Sequence, residues 1–292
     1  MVFKAGCINY FLSLFILFLL PVSTQAKDSI TWLEAVAPPF FIHEGEFKGQ
    51  GYEDLITDIL IEKMYNYEHI HMKANISRHY QQWRQGEQAC SLAMFKTQER
   101  EEFAYFSIPS LFTLPPVLII KKDNFAAFGA QKTVLLEALL KDNKVIIGRS
   151  TNRSYGAEFD NVLNTYGNKT NVYTYEDPEA SINLFKMLLA DRIDALPGLP
   201  EEAMYLAETM GIGDQIMTIN IEENQQNHDS YLTSVACSKT EWGKKTIENI
   251  NEVLLSERPK EQYRAAYERW LDKSSIDGYR KLYKEVFLKT EE

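Results

Sequence analysis

Along the chain, stretches with a hydrophobic period of 2 alternate with stretches of period near 3.6. Residues 30–36 form a short apolar run that predicts a strand, followed by a loop at Pro38-Pro39-Phe40-Phe41. Leu55, Ile56, Ile59, Leu60 and Met64 recur at helical spacing and predict a helix over 53–65. Over 68–76, Ile70, Met72, Ala74 and Ile76 fall on one side, and His69, His71, Lys73 and Asn75 on the other, the pattern of a half-buried strand. A short helix over 78–85 ends at Gly86, and 89–95 and 117–120 read as buried strands.

The alternation then repeats. Helices are expected over 133–140, 154–166, 179–190 and 201–210, interleaved with strands over 145–147, 172–175, 193–196 and 216–221. The polar run 222–229 reads as a crossover loop, 232–237 as a strand, and 241–255, 260–271 and 276–288 as closing helices. Strands alternating with helices imply α/β layers with mainly parallel sheets. Two such runs imply two similar lobes.

The first 26 residues do not fit this scheme. Lys4 precedes an apolar run over 8–20, Pro21 breaks it, and Thr24-Gln25-Ala26 offers small residues for cleavage. That is the pattern of a secretory signal peptide over 1–26. The run is short for a membrane span, so an uncleaved anchor is the competing reading. Removing it also removes Cys7 and leaves Cys90 and Cys237. An even pair in an exported, periplasmic chain suggests one disulfide, and two buried free thiols are the alternative.

Composition narrows the class further. With 45% hydrophobic and 25% charged residues the chain is a folded globular protein, not a disordered or collagenous one. A net charge of −10 argues against a nucleic-acid partner. No Gly-x-Ser-x-Gly elbow, His-Glu-x-x-His, Cys-x-x-Cys or P-loop occurs. Gly49-x-Gly51 precedes a helix, but Asp54 stands where a dinucleotide site needs its third Gly. His69 and His71 share a strand face and read as solvated, with no ligand cluster beside them. No metal and no cofactor are expected.

Pro38-Pro39-Phe40, Gly51-Tyr52-Glu53-Asp54-Leu55 and the stretch from Thr97 to Pro109, with its Thr-x-x-Arg and Phe-Ser-x-Pro, occur in a telling order. Asp191-Arg192-Ile193-Asp194-Ala195 and the segment from Tyr267 to Leu271 follow. In this order the chain resembles the family 3 extracellular solute-binding proteins, the type II periplasmic binding proteins that include polar amino-acid receptors, as a divergent branch. The resemblance implies a two-lobed fold, each lobe a mixed, mainly parallel sheet flanked by helices, with two crossover strands. Lobe 1 would be 27–112 with 223–292, and lobe 2 would be 113–222. It also implies a monomer that delivers a small-molecule ligand to an ABC transporter permease or to a sensor protein.

Arg100 matches the arginine that grips the ligand carboxylate in those receptors, and a guanidinium fork suits that task. A surface ion pair with Glu99, Glu101 or Glu102 is the bland alternative. Gly148-Arg149-Ser150-Thr151-Asn152 runs from a strand into a helix, where Ser150 and Thr151 could bind an anion or simply cap the helix. Phe40, Phe41 and Tyr52 are candidates for an apolar wall, and Arg78, with Trp83, is a weaker candidate for the site. Ala93, Met94 and Phe95 replace the small hydroxyl residues of amino-acid receptors, and Leu199 stands where they place an acid for the ligand ammonium. A carboxylated or otherwise anionic molecule, or a peptide end, therefore fits better than a standard amino acid. A dehydratase-like enzyme using Glu201 or Glu202 is the rival function, and a membrane-anchored sensory module the third. In the resembled fold the strands of Cys90 and Cys237 are antiparallel neighbours, close enough for a disulfide.

Overall fold

The computed structural model describes residues 1–2, 27–150, 154–175, 180–225 and 227–290. The expected signal peptide therefore lies outside the described residues, apart from Met1 and Val2. Among the described residues no helix is long and apolar enough to cross a membrane.

The chain builds two sheets. The first contains β1 (Ser29–Glu34), β2 (Glu68–Lys73), β3 (Ala89–Met94), β4 (Ala104–Phe112) and β11 (Leu232–Ser238), in the order β2-β1-β3-β11-β4. β1 runs parallel to β2 and β3, and β11 runs antiparallel to β3 and β4. The second contains β5 (Val117–Lys121), β6 (Thr133–Val134), β7 (Ile147–Ser150), β8 (Val172–Tyr175), β9 (Ala195–Gly198) and β10 (Ile216–Ile221), in the order β6-β10-β5-β9-β7-β8.

Both sheets are covered on both faces, so an inner strand can be apolar on both of its sides. β5 shows how: Leu118 and Ile120 pack into one core with Leu136, Phe159 and Ile219, while Val117 and Ile119 pack into another with Phe185, Leu188 and Met204. In the first sheet Ile30 and Trp32 face a core filled by α1 (Tyr52–Lys63), α8 (Glu241–Glu257), α9 (Glu261–Glu268) and α10 (Ile276–Glu285). Leu33 faces the opposite core, beneath α2 (Ile76–Arg84), with Trp83 and Phe103.

Two expectations fail for physical reasons. The strand over 68–76 stops at Lys73 and lies at the sheet edge, which leaves Ile70 exposed; Ile76 belongs to α2. The His69–His71 face is solvated only in part: the Trp32 indole donates to Nδ1 of half-buried His69 at 3.1 Å, while His71 stays exposed with its Nδ1 2.5 Å from a Glu34 oxygen. β4 was not expected at all, because its Ser-Ile-Pro-Ser core reads as a loop. Pro109 is tolerated there because β4 is an edge strand, and its register with β11 shifts beside Pro109.

The chain passes between the sheets at 113–116 and at 222–231. Buried tyrosines of the closing helices hold the first passage. Tyr263 donates to Ser110 O at 2.6 Å, Tyr279 donates to Phe112 O at 3.1 Å, and the Leu114 amide donates to Tyr267 Oη at 2.9 Å. Asn224 Nδ2, on the second passage, donates to Pro116 O at 3.0 Å and so ties the two together. Asp272, in the α9–α10 turn, accepts from Thr218 of β10 and from Ser275 Oγ at 2.8 Å and Ser274 Oγ at 2.6 Å.

Cys90 and Cys237 face each other in the β3–β11 register and form a disulfide, with Cα atoms 4.2 Å apart at a sequence separation of 147. Both anchors sit in the first sheet, and the loop they close contains the whole second sheet.

Two outcomes follow. A chain starting at Lys27, denatured without reductant, should show no free thiol on titration, and reduction should lower its stability by about 2–4 kcal/mol in a urea titration. Two titratable thiols would refute the bridge. Asp272→Ala should cost about 1–3 kcal/mol in the same assay, because Thr218, Ser274 and Ser275 lose a buried acceptor; an unchanged midpoint would remove the turn from the inter-sheet contacts.

Candidate functional site at the strand ends of the first sheet

Parallel strands β1, β2 and β3 end on one edge, and in open α/β sheets ligands gather beyond such ends. Arg100 is placed there by a short chain of causes. β3 stops at Met94, and Thr97 caps the single turn α3 (Gln98–Glu101), its hydroxyl accepting from the Arg100 amide at 3.3 Å. The side chain folds back so that Nη1 donates to Phe95 O at 2.7 Å and Nε donates to Tyr80 Oη at 2.8 Å. Its guanidinium carbon lies 5.5 Å from the Tyr80 ring centre.

The anticipated surface ion pair is not formed. Glu99 approaches Arg84 at 4.0 Å and Glu101 approaches Lys96 at 3.6 Å, and among the described residues no carboxylate pairs with Arg100. The guanidinium is held by neutral acceptors and keeps donors to spare.

The loop before α1 forms the neighbouring wall. The Tyr52 and Glu53 amides donate to Pro39 O and Phe40 O, each at 3.0 Å, so the helix start is capped by this loop. Gly51 is required at the joint, since a Cβ there would fall 2.2 Å from Phe40 O. Phe40 is half-buried and lies 5.2 Å from the Tyr52 ring. Phe41 and Tyr52 are fully packed: Phe41 stacks on His43, and Tyr52 stands edge-on to Tyr267. Of the expected aromatic wall, only Phe40 keeps exposed surface. Arg78 is exposed on α2 and donates to Gln81 at 2.8 Å.

On the second sheet, Ser150 ends β7, and its amide donates to Tyr155 Oη at 3.1 Å. Thr151 lies outside the described residues. The helix expected over 154–166, with a cap among residues 150–152, is a correction: α5 (Ala157–Tyr166) begins later, after Gly156, whose φ of 108° only glycine adopts readily. Near that start Asp160 accepts from the Tyr155 amide at 3.1 Å and from Ser154 Oγ, so an internal carboxylate occupies part of the seat. Leu199 precedes α7 (Pro200–Thr209), and Glu201 is fully buried, accepting from Tyr267 Oη at 2.8 Å.

An acidic cluster that the sequence did not announce lies beneath the strand ends. Glu34, the last residue of β1, is buried with one oxygen on His71 and the other 3.6 Å from His43 Nδ1. Asp54 accepts from the Ile42 and Gly51 amides at 2.9 and 3.0 Å. Glu53 is buried too, and burial, helped by the charges of Asp54 and Glu34, pushes its carboxyl up to about 8. Among the described residues no group of side chains is arranged to hold a metal ion. The only sequence signal for the cluster was an acid ending an apolar strand just before Pro38-Pro39.

Two α/β sheets flanked by helices and joined by two passages define the two-lobed type II periplasmic binding protein fold. Solved structures agree. The probable amino-acid ABC transporter extracellular-binding protein ytmK of Bacillus subtilis is 15% identical over 85% of this chain and 98% of its own, with a TM-score of 0.63. An ancestral cationic amino-acid solute-binding protein is 16% identical over 84% and 96%, with a TM-score of 0.62. The open form of substrate-binding domain 2 of Lactococcus lactis GlnP is 14% identical over 85% and 96%, at 0.59. By sequence, the chain matches no family profile and no curated protein.

The Glu53 shift has a measurable consequence. Its folded pKa lies above its ordinary 4.5, so its stabilising contribution is full below that value and is lost as pH rises through about 8. Glu53→Gln should flatten this slope and exceed the parent in stability at about pH 8.5 by at least about 1 kcal/mol in urea titrations. Parallel pH profiles for the two proteins would show that Glu53 is not buried as the neutral acid.

Proposed function

We propose that the chain is an exported solute-binding protein, a divergent relative of the family 3 receptors. It clamps a small carboxylated or otherwise anionic molecule between its lobes and hands it to a transporter permease or a sensor. We place the lobes at 27–112 with 223–292 and at 113–222. Export accords with the leader-like pattern over 1–26 and with the Cys90–Cys237 disulfide, which favours an oxidising compartment. The protein acts as a monomer and needs no cofactor.

One observation carries the reading: a guanidinium, fixed by Tyr80 and Phe95 at the strand ends, has no carboxylate partner among the described residues. Such a group is complementary to a bidentate anion. On the second lobe, Ser150 and Thr151 are the groups we assign to the ligand's other side, with Phe40 against its body. A dehydratase reading is less well supported, because Glu201 is buried against Tyr267 rather than presented to a substrate.

Native mass spectrometry of the freshly purified protein should reveal a co-purifying anion. Arg100→Ala should abolish its binding in calorimetry, at a cost of about 2–5 kcal/mol, while leaving the circular dichroism spectrum unchanged. Full affinity in the variant would sink the assignment.

A further inference from the structure

Residues 43–49 read His-Glu-Gly-Glu-Phe-Lys-Gly, a polar loop with one large apolar side chain. The Gly49 amide donates to Ile42 O at 2.8 Å and closes the loop at its base, and the Lys48 amide donates to Gly45 O at 3.3 Å. Gly45 and Gly49 have φ of 82° and 70°, in the left-handed region that glycine enters at no steric cost. The space beside both is open, so backbone conformation and not close packing calls for glycine there. Glu44, Glu46 and Lys48 are exposed, while Phe47, two residues from each glycine, is half-buried.

The Phe47 ring stands edge-on to Trp270 with centres 5.4 Å apart, and edge-on to Tyr205 at 6.3 Å. Tyr205 and Trp270 are themselves 5.4 Å apart, so the three rings meet pairwise. Tyr205 comes from the other body of the molecule. It lies on α7, whose Ala203, Met204 and Ala207 pack into a core with Val117 and Ile119 of β5, yet Tyr205 itself packs on the core of the first sheet. Burial raises its phenol above the ordinary range, and the charge of Glu44, in the same loop, adds to the rise.

The base of the loop is fixed separately. The Trp270 indole donates to Gln50 O at 3.1 Å, and Arg269 Nη2 donates to Gln50 Oε1 at 2.7 Å. α7 also meets the first body at Glu201, about one turn before Tyr205, where the partner is Tyr267 of α9. That contact joins two helices. Phe47 differs, because a glycine on either side lets it leave while the base and the helices stay in place.

We propose that residues 43–49 are a strap that fastens the second lobe to the first, with Phe47 seated against Tyr205, and that the cleft opens to a ligand only when Phe47 has left that seat. The lobes and the cleft are those of the binding-protein reading above, on which this rests. The strap follows Phe40 and precedes Tyr52 in the chain, so it borders the candidate site.

Hydrogen exchange and small-angle scattering test it on the chain from Lys27, with no ligand added. Phe47→Ser should speed exchange of the α7 amides about tenfold, the scale of one aromatic pair with part of a buried ring. Tyr205→Ser should speed exchange over 43–49 in return. Both should enlarge the radius of gyration, and their effects should not add, because they break one contact. Phe47→Leu should recover most of the parent behaviour, and Glu46→Ser, exposed on the same loop, should match the parent. If Phe47→Ser loosens 43–49 but leaves α7 and the radius of gyration unchanged, Phe47 merely packs its own loop and the strap is wrong. Faster exchange spread equally over β5 and β10 is a loss of global stability and also counts against it, as does parent-like behaviour throughout. None of these readouts uses Arg100, so a failed strap leaves the binding-protein reading to the Arg100→Ala calorimetry, and a failed anchor leaves the ring contact to this test.

Discussion

The architecture depends on how the passage from β4 to β5 is held. Ser110, Phe112 and Leu114 alternate along an extended segment, and each meets a different buried tyrosine through its backbone. An edge strand leaving its sheet exposes backbone groups that must be satisfied. Here Tyr263, Tyr267 and Tyr279, from helices more than 140 residues downstream, satisfy them. Burial holds all three phenols well above their ordinary range, so they remain neutral donors and acceptors at any physiological pH. Tyr267 also donates to Glu201 of the other sheet's helix layer. The closing helices are thus part of the joint between the sheets, not an appendage of one of them.

That joint gives the strand-end edge a fixed floor. Trp270 donates its indole hydrogen to Gln50 O, and Tyr267 packs on Tyr52, so the loop bearing Phe40 is set by the same helices. Arg100 is positioned independently, through Tyr80 and the aromatic group of Trp83 and Phe103. A charged fork braced on aromatic rings by neutral oxygens keeps its charge directed outward. The same fork paired with Glu99 or Glu101 would have been neutralised, and those two acids have cationic neighbours of their own.

Much of this was legible in sequence, and the failures have causes. β5 was readable because both its faces are buried and its run is almost wholly apolar, and β10 because four of its six residues are apolar. β4 was not, since Pro109 in an edge strand looks like a loop until its single partner is known. Over 68–73 the alternation named only part of the surroundings: Ile70 is exposed at the sheet edge, and His69 and exposed His71 bond to Trp32 and Glu34, residues about 37 positions away. Tyr52 and Phe41 matched a binding motif, yet their burial is decided by Tyr267 and His43, which no local pattern reports. The start of α5 moved because a glycine conformation, not a hydroxyl cap, sets it. Cys90 and Cys237 could be paired only through the register of β3 with β11, and that register holds.

Strand order also dictates the sequence in which the molecule can be completed. The second sheet is made from six strands that are consecutive in the chain, so all its partners are present once β10 has emerged. The first sheet is different: β11, its last strand in sequence, sits between β3 and β4. Until that strand arrives, β3 and β4 lack their shared neighbour and Cys90 has no partner. A chain threaded from its N-terminus would therefore finish its second-made lobe before its first, holding the earlier half open until the returning strand closes it.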